Sequence, residues 1–113
     1  MENVLAYITS KDKAEARKLA QELLKRRLVA CVNIGSELES WYWWEGKMET
    51  NTEVFLIAKS QEDRKADIIQ CVTELHSYEC PCVIFLPLAG GNPSYLDWMK
   101  NTLNPSEKGK KYE

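Results

Sequence analysis

Apolar residues fall along the chain in blocks whose period changes from one block to the next. Val4-Leu5-Ala6-Tyr7-Ile8 is a short apolar run and predicts a buried strand. Thr9 and Ser10 follow it, both suited to cap a helix. From Lys11 to Leu28 the apolar positions are Ala16, Leu19, Ala20, Leu23 and Leu24, the stripe of an amphipathic helix. Lys25, Arg26 and Arg27 suit the negative end of that helix's dipole. Leu28 to Ile34 is β-branched and apolar, and Leu38 to Trp44 continues it in extended form. The pair predicts one long strand, bulged at Gly35. Glu45 to Thr52 is polar and reads as a turn, and Glu53 to Lys59 reads as the returning antiparallel strand. Ser60 and Asp63 stand in a relative of the capping box and predict the start of a second helix. Its buried stripe is Ile68, Ile69, Val72 and Leu75, and it ends near His76. Val83 to Leu86 is a last strand, ended by Pro87. Tyr95, Leu96, Trp98, Met99 and Leu103 fit a closing helix.

The order is β-α-β-β-α-β plus a terminal helix. It predicts an α+β fold, a ferredoxin-like antiparallel sheet with both main helices on one face. Strands such as Val54–Ala58 and Val83–Leu86 are apolar on both faces, so the uncovered face predicts self-association. The domain is expected over residues 1–103, followed by a loose polar tail over 104–113 that carries Lys108, Lys110 and Lys111.

Composition narrows the partners. The 113 residues are 44% hydrophobic and 28% charged with a net charge of −2, which argues against disorder and against a general nucleic-acid binder. No apolar run approaches the ~20 residues of a membrane helix. Met1-Glu2-Asn3-Val4 has no basic segment leading into an apolar stretch, so no signal peptide and a cytoplasmic location are expected. In that compartment Cys31, Cys71, Cys80 and Cys82 are expected as thiols.

Candidate chemistry gathers in three segments: Trp41 to Lys47, His76 to Cys82, and Gly90 to Trp98. The first reads most simply as packing or interface, since aromatics dominate interface energetics. In the second, His76 at a helix end most simply caps carbonyls. The sharper reading joins His76, Cys80 and Cys82 as ligands of a soft metal ion, because positions two apart on an extended chain share a face. A single histidine leaves no Ser-His-Asp arrangement to propose. The first β-α loop, Ile8-Thr9-Ser10-Lys11, lacks the cysteine pair of a copper chaperone on this fold.

The same segments, with Ala30-Cys31-Val32-Asn33, resemble the CutA family of divalent-cation tolerance proteins. The matching pieces are Tyr42-Trp43-Trp44-Glu45-Gly46-Lys47, His76-Ser77-Tyr78-Glu79-Cys80-Pro81 and Gly91-Asn92-Pro93-Ser94-Tyr95-Leu96-Asp97-Trp98, in family order from about Val4 to Leu103. The resemblance implies a non-enzymatic homotrimer built like the PII signalling proteins and tied to tolerance of copper and other divalent metals. It also implies the departures: Ser77 stands where the family usually has Pro, and Cys80 and Cys82 replace an aliphatic and an acidic residue. Ile8 and Leu75 occupy positions of suggested copper ligands, of which only His76 is kept. Two other readings follow: an interaction or assembly protein, or a PII-like sensor. The sensor would hold an anionic metabolite in an inter-subunit cleft lined by Lys59, Glu79, Tyr95 and Trp98.

Overall fold

The computed structural model describes residues 2–105. Its elements are β1 (Asn3–Ser10), α1 (Lys13–Lys25), β2 (Cys31–Trp44), β3 (Lys47–Gln61), a 3-10 turn (Glu62–Arg64), α2 (Lys65–Leu75), β4 (Val83–Pro87) and α3 (Pro93–Leu103). The four strands form one sheet in the order β2-β3-β1-β4, every neighbour antiparallel. This is the expected α+β, ferredoxin-like arrangement. The expected tail from 106 onward lies outside the described residues.

Strand alternation splits the sheet into two faces. Ala6, Ile8, Val54, Leu56 and Ala58 point to one side and join Ala16, Leu19, Leu23, Ile68, Cys71 and Val72 of the two helices in the main core. The other side carries Leu5, Tyr7, Phe55, Ile57, Ile84 and Leu86, partly buried or exposed; Ile84 and Leu86 are 54% and 50% accessible. Only its Lys59 end is attended by α3, which packs Met99 and Leu103 on Ala30.

Several boundaries differ from the sequence reading, each for a local reason. The first helix is capped not by Thr9 or Ser10, which stay in β1, but by Asp12, whose carboxylate accepts the Glu15 N–H at 2.8 Å. Leu28, Val29 and Ala30 are not strand. Arg27 turns the chain with φ of 57°, and β2 pairs only from Cys31. The bulge falls where Gly35 predicts it, with the register shifting between Ile34 and Glu37. Glu45 to Thr52 is not a turn, because only Glu45 and Gly46 leave the ladder. Their φ values of 49° and 79° make the two-residue turn whose twist matches a hairpin. Strand β3 therefore starts at Lys47. Ser60 does not cap the second helix either: it is buried in β3 and its hydroxyl donates to the Leu28 carbonyl at 2.6 Å.

The long hairpin leaves a projection. Strand β1 accompanies β3 only as far as Ser10↔Val54, whereas β2 and β3 stay paired from Leu38↔Glu53 out to Trp44↔Lys47. This arm is two strands wide and drives the long axis of the molecule to 54 Å against 26 and 24 Å across. It exposes Trp41, Trp43, Trp44 and Met48.

Candidate functional site

A cleft of about 440 Å³ opens where the arm leaves the body of the sheet. Ser40, Trp41, Tyr42, Trp44 and Asn51 of the arm form one wall, and Tyr78, Glu79, Cys80 and Cys82 form the other. Thr9 and Glu53 join the lining where the arm meets the body. The segment after α2 is held against the sheet by a buried polar network. Glu15, at 8% exposure, accepts the Lys11 N–H at 3.0 Å on Oε1 and the Ser77 N–H at 2.9 Å on Oε2. Burial alone would raise its carboxyl pKa. Hydrogen bonds from Ser77 and Lys11 outweigh burial and hold the carboxyl below its ordinary value.

His76 occupies the centre of this network, its side chain fully buried. Nε2 lies 2.7 Å from the Thr9 carbonyl and must donate to it. Nδ1 accepts the Tyr78 N–H at 3.0 Å. The two bonds fix one neutral tautomer and use both ring nitrogens. Two expectations change. His76 ends α2 but its ring bonds the end of β1 instead of capping helix carbonyls. Nor does it join Cys80 and Cys82 as a metal ligand, because neither nitrogen is free. Among the described residues, no group of three His, Cys, Asp or Glu side chains is placed to hold a metal ion. Cys80 and Cys82 do share the cleft, but in the turn and extended segment before β4, not on the strand itself.

Tyr78 bridges the cleft, its hydroxyl donating to Glu53 Oε2 at 2.9 Å. Burial and then the Glu53 hydrogen bond and charge push the phenol well above its ordinary range. Burial likewise raises the Cys82 thiol, aided by Glu53 and Cys80 and opposed by a hydrogen bond with Thr9. Cys82 is thus held toward its protonated thiol form.

The other expected set is divided. Lys59 lies 5.2 Å from the centre of the Tyr95 ring and 3.3 Å from Asn33 Oδ1, and Tyr95 and Trp98 are 5.3 Å apart centre to centre. Glu79 is not with them. It lines the arm cleft beside Glu53, and six residues of β3 put Lys59 about 20 Å from Glu53 at ~3.3 Å per residue. Within one protomer the four residues line no common pocket. Sequence reasoning places Tyr78 within the His76 to Cys82 segment but gives it no role, and it misses Glu53 as a lining residue. A signal existed for Glu53, the one acid heading an otherwise apolar strand interior.

A model of the CutA1 divalent ion tolerance protein family matches residues 4–102. The chain belongs to that family. It is 39% identical over 97 residues to the divalent-cation tolerance protein CutA of Archaeoglobus fulgidus, covering 86% of this chain and 94% of that one. It is 40% identical over 104 residues to the chloroplastic protein CutA 1 of Oryza sativa subsp. japonica, covering 92% of this chain and 59% of the rice protein. The chain therefore spans little more than half of that relative. Among solved structures, CutA1 from Oryza sativa superposes with a TM-score of 0.89 at 40% identity, covering 94% of this chain and 97% of that one. The periplasmic divalent cation tolerance protein CutA from Archaeoglobus fulgidus gives 0.87 at 37%, covering 90% and 99%.

Proposed function

We propose that this CutA1 protein is a non-enzymatic homotrimer serving tolerance of divalent metal ions, and that it holds copper weakly through Cys80 and Cys82. The observation that carries the metal part is the composition of the arm cleft. Two thiols and two carboxylates line it, with no Lys, Arg or His among the lining residues. That donor set suits a cation and is hostile to an anionic metabolite, and thiolates select soft ions such as Cu(I). Binding is weak because the metal must displace a proton from a thiol that burial holds above its ordinary pKa. The chain's single imidazole is committed to structure, which supports a role without catalysis.

The trimer reading rests on the uncovered sheet face and the two-stranded arm, each of which leaves apolar surface that a neighbouring copy would bury. Neither nucleic acid nor membrane is a partner in this reading. The cytoplasm is its compartment, which four free thiols suit.

The test is titration of the reduced protein with Cu(I) against a thiol competitor, parent beside Cys80→Ser/Cys82→Ser. Binding lost in the double variant is the expected result. Equal affinity in the two would remove the thiol pair from the function. Sedimentation equilibrium in the same buffer should return three times the 13.0 kDa protomer mass.

A further inference from the structure

We propose that His76 is a proton-operated tether that holds the 77–82 segment closed near neutral pH and releases its Tyr78 backbone in acid. The ring joins three parts of the chain. Nε2 donates to the Thr9 carbonyl at the end of β1, Nδ1 accepts the Tyr78 N–H, and Glu15 Oε1 of α1 lies 3.8 Å from Nε2. The imidazole is fully buried and Glu15 nearly so, both within a single protomer. The arrangement therefore stands whatever covers the open sheet face.

Only the neutral ring fits it. A second ring proton must go to Nδ1, since Nε2 already carries the one given to Thr9. Nδ1 then turns from acceptor to donor and meets the Tyr78 N–H, donor against donor. One of the two has to leave. The ring stays, because Nε2 keeps Thr9 and the Glu15 carboxylate supplies the counter-charge that a buried imidazolium needs. The Tyr78 amide turns out to water, and the opening gives the new Nδ1–H water to bond as well.

The groups around the ring come from each element packed on it. From α1 comes Glu15, whose carboxyl is held below its ordinary value and so stays ionised well below neutrality. From β1 comes the Thr9 carbonyl. The segment itself brings Tyr78, its ring centre 4.6 Å from that of His76, with a phenol pushed far up by burial and by Glu53 of β3, to which its hydroxyl donates. Cys82, hydrogen-bonded to Thr9, is held as a thiol. Imidazole is the side-chain type that ordinarily changes charge between about pH 5 and 8, and the set holds one. The open form binds one proton more than the closed form. Closure is therefore favoured as pH rises and lost as it falls, by up to about tenfold per pH unit.

The experiment is amide hydrogen exchange of the full assembled chain, resolved by NMR and corrected for intrinsic exchange, from about pH 8 to 5, with the ring nitrogen shifts of His76 followed alongside. Protection at Tyr78 should fall at least about tenfold, in step with protonation of Nδ1, while the α2 amides of Ile68 and Val72 keep theirs. His76→Asn puts an oxygen that does not titrate near the Nδ1 position, so its Tyr78 protection should be flat with pH. Glu15→Gln removes the counter-charge and should move the transition to lower pH without abolishing it. Cys80→Ser/Cys82→Ser should keep the parent profile, so this inference and the metal reading fail separately. Should His76→Asn not fold, the match in the parent between Nδ1 protonation and Tyr78 exchange carries the test. Tyr78 protection independent of pH, protection lost while the ring is still neutral, a pH-dependent loss that survives in His76→Asn, or a transition abolished in Glu15→Gln or in the serine variant would each overturn the proposal.

Discussion

Substitution of Gly35 by alanine reverses the sign that backbone propensity alone predicts. Glycine inside a strand costs conformational entropy, so replacing it where φ is ordinary usually stabilises by ~0.4–1 kcal/mol. Gly35 lies in the bulge opposite Phe55, and a Cβ built there falls inside the Phe55 ring. The glycine is thus the seat of an aromatic side chain. Alanine must push the ring off it, and the ring is also stacked near Tyr7, 6.2 Å centre to centre at 19°. Overpacking of this kind costs ~1–3 kcal/mol and a disturbed aromatic pair ~0.5–1.5 kcal/mol. Set against the entropy gain, the net expectation is destabilisation of about 2 kcal/mol. The assay is urea unfolding at one fixed protomer concentration, since stability in an assembling protein depends on concentration. Phe55→Leu is then combined with Gly35→Ala, and the double variant should recover at least ~1 kcal/mol relative to additivity, because the smaller side chain vacates the collision. A Gly35→Ala protein as stable as the parent, or a strictly additive double variant, would refute the reasoning.

Three further outcomes follow from the same structure. The carboxyl of Glu15 lies below its ordinary value of 4.5, so the stability it contributes is complete above that pH and is lost as pH falls through the lowered folded value; Glu15→Gln should be less stable near neutrality and show a shallower acid limb in pH-dependent unfolding. Glu45 holds a positive φ in the hairpin turn, where asparagine is at ease, so Glu45→Asn should raise the unfolding midpoint by an amount worth ~0.5–1 kcal/mol, while Gly46→Ala should lower it by ~1 kcal/mol or more. Trp44→Ala should weaken self-association by ~2 kcal/mol, read as a concentration-dependent loss of mass in sedimentation; an unchanged mass profile would show that Trp44 anchors nothing.

The fold was legible because its signals are local. The apolar runs at Val4–Ile8 and Val54–Ala58, the helical stripe from Ala16 to Leu24 and the glycine bulge each carry their own period or break. The errors came where two residues compete for one role. Asp12, with Glu15 three residues on, outbids Ser10 as a cap, and Ser10 stays in the sheet where its hydroxyl donates to the Asp12 carbonyl at 3.0 Å. Thr50 to Thr52 looked too polar for strand because an arm with solvent on both faces needs no apolar alternation. The site was less legible. His76 was visible as the only imidazole, but its commitment to Thr9, 67 positions away, is tertiary and leaves no sequence mark. The pairing of Tyr78 with Glu53 is of the same kind.

The arm also divides one strand between two dynamic regimes. From Val54 to Lys59, β3 runs between β1 and β2, whereas from Lys47 to Glu53 it has β2 alone. An isolated two-stranded ribbon is marginal in water. Amide hydrogens of the outer half should therefore exchange through small local openings, and those of the inner half only when the whole sheet gives way. Between Glu53 and Val54, within one covalent step and with no break in the ladder, the lifetime of a backbone hydrogen bond is expected to change by orders of magnitude. The arm can fray and re-form while the body beneath it stays closed.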